Sequence, residues 1–108
     1  MRTALVMALM AGPAIAQDWT AMTGDQIQTA LEDRRLHYAD ATQVFYKGGR
    51  TLYDGGGPSW GNWAVRGDQY CSQWQPGDGW ECYDIQASGG AVRFLDGNGN
   101  VTEGRYDK

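Results

Sequence analysis

The chain is poor in the residues that carry most metal and nucleophilic chemistry. Among its 108 residues there are one His and two Cys. A structural zinc site needs four Cys or His ligands, more than His37, Cys71 and Cys82 supply, so no metal is expected. Basic residues are also few, nine Lys and Arg against 13 Asp and Glu, for a net charge of −4. That balance disfavours nucleic acid and anionic membrane surfaces as partners. No apolar run approaches the ~20 residues that a membrane-crossing helix needs, so no span is expected in the mature form.

Cofactor motifs are missing as well. Gly55-Gly56-Gly57 invites a phosphate-binding reading, but a dinucleotide fingerprint requires Gly where Trp60 stands and must open a βαβ unit. No Gly-Lys-Ser/Thr for a P-loop follows it, and no cofactor is expected. Asp96-Gly97-Asn98-Gly99-Asn100 resembles the start of a calcium loop. However, Val101 occupies the position where that turn needs Gly, and Asp107 the one where a bidentate Glu belongs. The same residue types suit a plain hairpin turn. Ser59, Ser72 and Ser88 are not expected to act as nucleophiles. His37, beside Tyr38 and Asp40, reads as an edge histidine, and Glu81 and Asp84 fall on opposite faces of one strand. No catalytic set is expected.

Residues 1–16 do have a recognisable layout. Arg2 precedes an apolar run from Ala4 to Ala11, a Gly12-Pro13 break, and the small pair Ala14 and Ala16. This predicts a signal peptide cleaved after Ala16, leaving residues 17–108 as one domain. No Cys near the cut offers a lipid anchor. Export to the periplasm or beyond gives the two Cys their meaning: one disulfide in an oxidising compartment.

The abundance lies in Gly, 16 residues, and in aromatics, with five Trp and six Tyr. Thr23-Gly24-Asp25-Gln26 fits a capping box, and Ile27, Ala30 and Leu31 share a face, so a short helix over about 24–33 is predicted. Beyond it, runs rich in Val, Tyr, Trp and Phe are cut by Gly-containing turns, the pattern of an antiparallel meander. A two-residue loop at Gly67-Asp68 sets Val65 opposite Tyr70, Trp63 opposite Ser72 and Gly61 opposite Trp74. Centring the next hairpin on Cys71 and Cys82 sets Tyr70 opposite Tyr83. Gly89-Gly90 then sets Ile85 opposite Phe94. The three turns agree on one apolar face of Trp63, Val65, Tyr70, Trp74, Tyr83, Ile85, Val92 and Phe94, a consistency that a one-residue slip would destroy. Upstream, Gly48-Gly49 is predicted to pair Phe45 with Leu52 and Val44 with Tyr53, after a strand at 36–38. Downstream, a loop over 96–100 pairs Leu95 with Val101. Mainly β structure follows: about eight short strands curled into a half-barrel or small barrel, with the helix over an open end or edge.

The opposite face carries Trp60, Asn62, Gln73, Trp80 and the disulfide. Flat rings beside side-chain amides suit a sugar, the rings stacking and the amides binding hydroxyls. A second reading makes Trp60 and Trp80 a minor core shielding the disulfide.

The pattern Gly61-x-Trp63-x-Val65-x-Gly67-Asp68-x-Tyr70-Cys71-x-x-Trp74, followed by Cys82-Tyr83-x-Ile85, resembles a group of small exported bacterial all-β proteins of uncharacterised function. The resemblance implies a leader, an N-terminal helix and a short β body. The chain is also similar to small disulfide-bearing periplasmic barrels that inhibit lysozymes, and no site residue is carried over from them. The expectation is a monomeric binding or interaction domain of the cell envelope, with a glycan or an envelope protein as partner. The alternatives are a small periplasmic enzyme and a hydrolase inhibitor. A filled interior with a flat aromatic patch would accompany binding; a cleft holding a perturbed carboxylate would accompany catalysis.

Overall fold

The computed structural model describes residues 18–107; the predicted leader and its cleavage point lie outside them. Ten elements follow in order: β1 (Thr20–Ala21), α1 (Gly24–Leu31), β2 (Arg34–His37), β3 (Thr42–Phe45), β4 (Arg50–Asp54), β5 (Pro58–Arg66), β6 (Gln69–Trp74), β7 (Trp80–Ser88), β8 (Ala91–Leu95) and β9 (Val101–Tyr106). Strands β2 to β9 each pair antiparallel with the next. The ring closes where Leu36 and His37 of β2 meet Tyr106 and Arg105 of β9. The result is a closed eight-stranded barrel, which leaves no long free edge. Strand β1 lies outside the ring, against Gln86 and Ala87 of β7, just past Asp84, the partner of the first residue of β6.

Most of the turns set the registers they predict. Val65 pairs with Tyr70 and Trp63 with Ser72, Tyr70 with Tyr83, Ile85 with Phe94 and Leu95 with Val101. Cys71 and Cys82 face each other with Cα atoms 4.0 Å apart and are bonded.

One predicted register is wrong by a residue. Val44 pairs with Leu52 and Phe45 with Thr51. The cause is the turn: Tyr46 N donates to Arg50 O, and Gly49 N donates back to Tyr46 O. Three residues, Lys47 to Gly49, therefore connect the strands, with Gly49 at φ 98°. This is a tight turn closed by a left-handed glycine, a frequent three-residue hairpin. With Phe45 and Gln43 facing the barrel, the shift brings Thr51 and Tyr53 in opposite them and turns Leu52 outward; Gln43 and Thr51 are both buried.

The helix is two residues shorter than predicted. Its capping box is present: Gln26 N donates to Thr23 Oγ1 and Thr23 N to Gln26 Oε1. The helix ends at Leu31 because Glu32 leaves the helical conformation, with ψ 122°, and Asp33 then turns left-handed, φ 58°, which Asp tolerates better than most residues. The Asp33 carboxylate accepts from Lys47 N at 2.9 Å, and β2 starts at once, two residues before the predicted strand. Ile27 and Leu31 are fully buried, each contributing roughly 1.5–3 kcal/mol. At its start, Gly24 N donates to Asp68 Oδ1 at 2.8 Å. A Cβ on Gly24 would stand 2.2 Å from Gly67 O, so only glycine lets the helix approach the β5–β6 turn. Near its other end, Tyr106 Oη donates to Ala30 O at 2.9 Å. The helix thus plugs the barrel end that carries the 46–49, 67–68 and 89–90 turns. The core of Ile27, Leu31, Leu36, Phe45, Trp63, Ile85 and Val92 sits beneath it.

Candidate functional site

Away from the helix the interior is not filled. Loops 38–41, 55–57, 75–79 and 96–100 surround the opposite end of the barrel, and there a cavity of about 440 Å³ opens. Its lining joins Tyr38, Tyr53, Tyr70, Trp74, Tyr83 and Phe94 with the neutral polar residues Gln43, Ser59, Ser72, Gln75 and Thr102, together with Trp60 at the start of β5. An eight-stranded barrel is just wide enough for its side chains to fill it or to hold one small ligand.

Glycines account for the space. A Cβ on Gly61 would lie 2.6 Å from Trp74 Cε3, one on Gly104 2.9 Å from Tyr38 Cε1, and one on Gly55 2.9 Å from Tyr53 Cε1. Three of the rings therefore rest on positions without side chains and line the wall instead of crossing the lumen. Tyr38 stacks on Tyr53 with centroids 6.0 Å apart. Trp74 stands edge-on to Tyr53 at 6.2 Å, and Phe94 is edge-on to Tyr38, Tyr70 and Tyr83.

Beneath the rings runs a buried polar network. Tyr38 Oη donates to Gln43 Oε1 at 2.7 Å. Gln43 Nε2 donates to Thr51 Oγ1 at 2.9 Å and to Tyr70 Oη at 3.2 Å, and Thr51 Oγ1 donates to Val44 O at 2.8 Å. Trp74 Nε1 donates to Ser72 Oγ at 3.2 Å. Gln43 is thus the hub: both ends of its amide are used inside the barrel, as a buried amide requires. Tyr70 Oη accepts from Gln43 and also meets the Ser72 hydroxyl.

The phenols stay neutral. Burial, reinforced by Tyr70, Tyr53 and Tyr83, pushes Tyr38 far above the usual phenol range. Burial pushes Tyr70 up to about 12, with hydrogen bonds from Gln43 and Ser72 opposing the rise. Tyr83 is raised by burial and then by the Glu81 carboxylate beside it. These rings offer donors and π faces, not phenolate nucleophiles.

The four residues predicted as a binding patch lie on the outer face, as the alternation requires. Asn62 Nδ2 donates to Gln73 Oε1 at 3.1 Å, and Gln73 pairs with Trp80. The Trp60 ring, 46% exposed, turns away from them. It stacks on Tyr46 with centroids 5.9 Å apart and carries the Arg50 guanidinium 4.8 Å from its centroid. Trp80 has Arg66 over it at 4.4 Å, and β6 runs between the two indoles. Asn62, Gln73 and Trp80 therefore come together, while Trp60 joins a separate aromatic pair.

Ser59 stands in the spacing Gly57-x-Ser59-x-Gly61, which also marks nucleophile elbows. An elbow needs a strand-to-helix turn, whereas Ser59 lies in β5. The histidine that could serve as base, His37, is paired with Asp107. Asp96 of the 96–100 loop accepts from Asn98 N, Asn100 N and Asn100 Nδ2. These bonds hold its carboxyl below the usual range and make it a turn anchor.

Sequence reasoning found Tyr70, Trp74, Tyr83 and Phe94 but assigned them to a filled core. It missed Thr51 and Tyr53 through the slipped β3–β4 register, and it did not single out Gln43, which shares the face of Phe45 in either register. The signal available was Tyr-Lys-Gly-Gly itself, which fits a three-residue turn with a left-handed second glycine. Set against family models, curated proteins and solved structures, the chain finds no match in any of the three.

Proposed function

We propose that the protein is an exported binding domain that takes a small molecule into the open end of its barrel. One observation carries the reading: three aromatic rings seated on Gly61, Gly104 and Gly55 keep a cavity of about 440 Å³ open in a barrel plugged at the other end. That volume and a lining of rings with a few fixed polar groups match ordinary small-ligand sites. The neutral phenols argue for holding a ligand over converting it. The leader-like residues 1–16 and the Cys71–Cys82 disulfide support export to the periplasm or beyond. Among the described residues no helix is long and apolar enough to cross a membrane.

A fragment screen on ¹⁵N-labelled protein by NMR tests this. The expected result is shifts gathered at the Trp74 indole and at the amides of Gln43, Tyr70, Ser72 and Tyr83. Shifts gathered instead at Trp60, Asn62, Gln73 and Trp80 would move the function to the outer face, where a glycan or envelope protein is the fitting partner. The exposed stack of Trp60 on Tyr46 is the observation that favours that second reading.

A further inference from the structure

Charge is distributed unevenly between the two ends of the barrel. The four segments that ring the open end, 38–41, 54–58, 74–80 and 95–101, each carry one aspartate: Asp40, Asp54, Asp78 and Asp96. None of the four contains a Lys or Arg. The basic residues lie elsewhere: Arg34, Arg35, Lys47, Arg50, Arg66 and Arg105 start near the plugged end, where Asp25, Glu32, Asp33, Asp68 and Asp107 accompany them, and Arg93 lies within β8 against Trp19. Arg50 and Arg66 do reach Trp60 and Trp80, but over the rings on the outer face. Inside the mouth the lining is neutral, and Glu81 adds a carboxylate 3.4 Å from Tyr83 Oη.

An opening edged by one sign of charge with low-dielectric walls focuses its field into the cavity and concentrates the opposite charge there. The walls suit such a guest, because ring faces attract a cation through their quadrupoles. An anion would meet carboxylates at the entrance and no guanidinium or ammonium inside. A bare metal ion is a poorer match, since no group of three or more His, Cys, Asp or Glu among the described residues is placed to hold one. At the floor, the hydroxyls of Ser72 and of Tyr70, a residue only 3% exposed, line the cavity and can donate to an oxygen on the guest.

Resting on the binding reading above, we propose that the cavity selects a compact organic cation: an alkylated ammonium that sets its methyl or methylene shell against Tyr38, Tyr53 and Trp74 and carries a hydroxyl or carboxylate oxygen toward Tyr70. The aspartates at the mouth attract it, and the rings discriminate for it.

Calorimetric titration with choline and with 3,3-dimethylbutan-1-ol separates charge from shape, because the alcohol replaces the quaternary nitrogen by carbon at nearly the same size. Choline is expected to bind at least tenfold more tightly, with affinity falling as salt is raised. Asp40→Asn, Asp54→Asn and Asp78→Asn together are expected to weaken choline severalfold and leave the alcohol unchanged, which also shows that the variant is folded. Equal affinities for the two probes overturn the cation inference and leave the cavity as a binding site. The cation inference falls in the same way if neither probe binds while a neutral fragment shifts the Trp74 indole. If no compound reaches the cavity, both readings fall together.

Discussion

Trp74 lies against Gly61 so closely that a Cβ there would stand 2.6 Å from Trp74 Cε3 and 2.7 Å from Gln73 O. The second contact is backbone, so rotation of the indole alone cannot relieve it. Gly61→Ala is expected to cost about 1–3 kcal/mol, the range for overpacking a tight site, and to change the near-ultraviolet circular dichroism as Trp74 moves. An unaltered spectrum and urea midpoint would show that the wall is not built on this glycine.

Gln43 offers a second test, since its amide joins Tyr38, Thr51 and Tyr70. Gln43→Leu removes all three bonds and leaves buried partners unserved, at about 1–3 kcal/mol. Tyr38→Phe removes one bond and leaves Gln43 Oε1 near the cavity, so a smaller loss is expected, about 0.5–1.5 kcal/mol. Urea unfolding of both variants ranks them. Equal or reversed losses would contradict the role of Gln43 as hub.

Alkali should unfold the protein through its interior phenols. Tyr70 is raised to about 12 and Tyr38 is raised further by burial, while both titrate near 10 once unfolded. Below pH ~10 the unfolded and folded states hold the same phenol protons. As pH climbs from 10 toward 12 the unfolded state loses them first, so stability falls with pH. For Tyr70 alone the loss is about 2–3 kcal/mol. Melting temperature against pH checks this: Tyr70→Phe should flatten the decline above pH 10, and an unchanged slope would refute the assignment.

The Cys71–Cys82 bond closes a short loop between neighbouring strands, with a separation of 11 residues. Reduction is expected to lower stability by about 2–4 kcal/mol, chiefly through the unfolded chain. The disulfide lies on the outer side of β6 and β7, so the Trp74 indole resonance should keep its position in the reduced, folded protein. A shifted indole would mean that the disulfide shapes the cavity as well as the wall.

Much of the barrel was legible in the residues alone, for a local reason. At Gly67-Asp68 and Gly89-Gly90 two residues join the strands, and a turn that short fixes register without reference to distant contacts. The same holds for the capping box at Thr23, whose partners are three residues apart. Tertiary structure decided the remainder. Lys47-Gly48-Gly49 can close as a two- or a three-residue turn, and the choice decides whether Leu52 or Thr51 stands opposite Phe45. Phe45 faces inward, packing edge-on against Trp63 and Tyr70, with Gln43 on the same face, and the three-residue turn brings Thr51 and Tyr53 in beside them. Alternation likewise placed Tyr70, Trp74, Tyr83 and Phe94 on one face but could not say whether they meet. That depends on the ring closing at β2 and β9, which sets the diameter. It also depends on glycines brought beneath the rings from elsewhere in the chain, Gly61 under Trp74 and Gly104 under Tyr38. A cavity is the volume left over when distant strands come together, and no local run of residues specifies it.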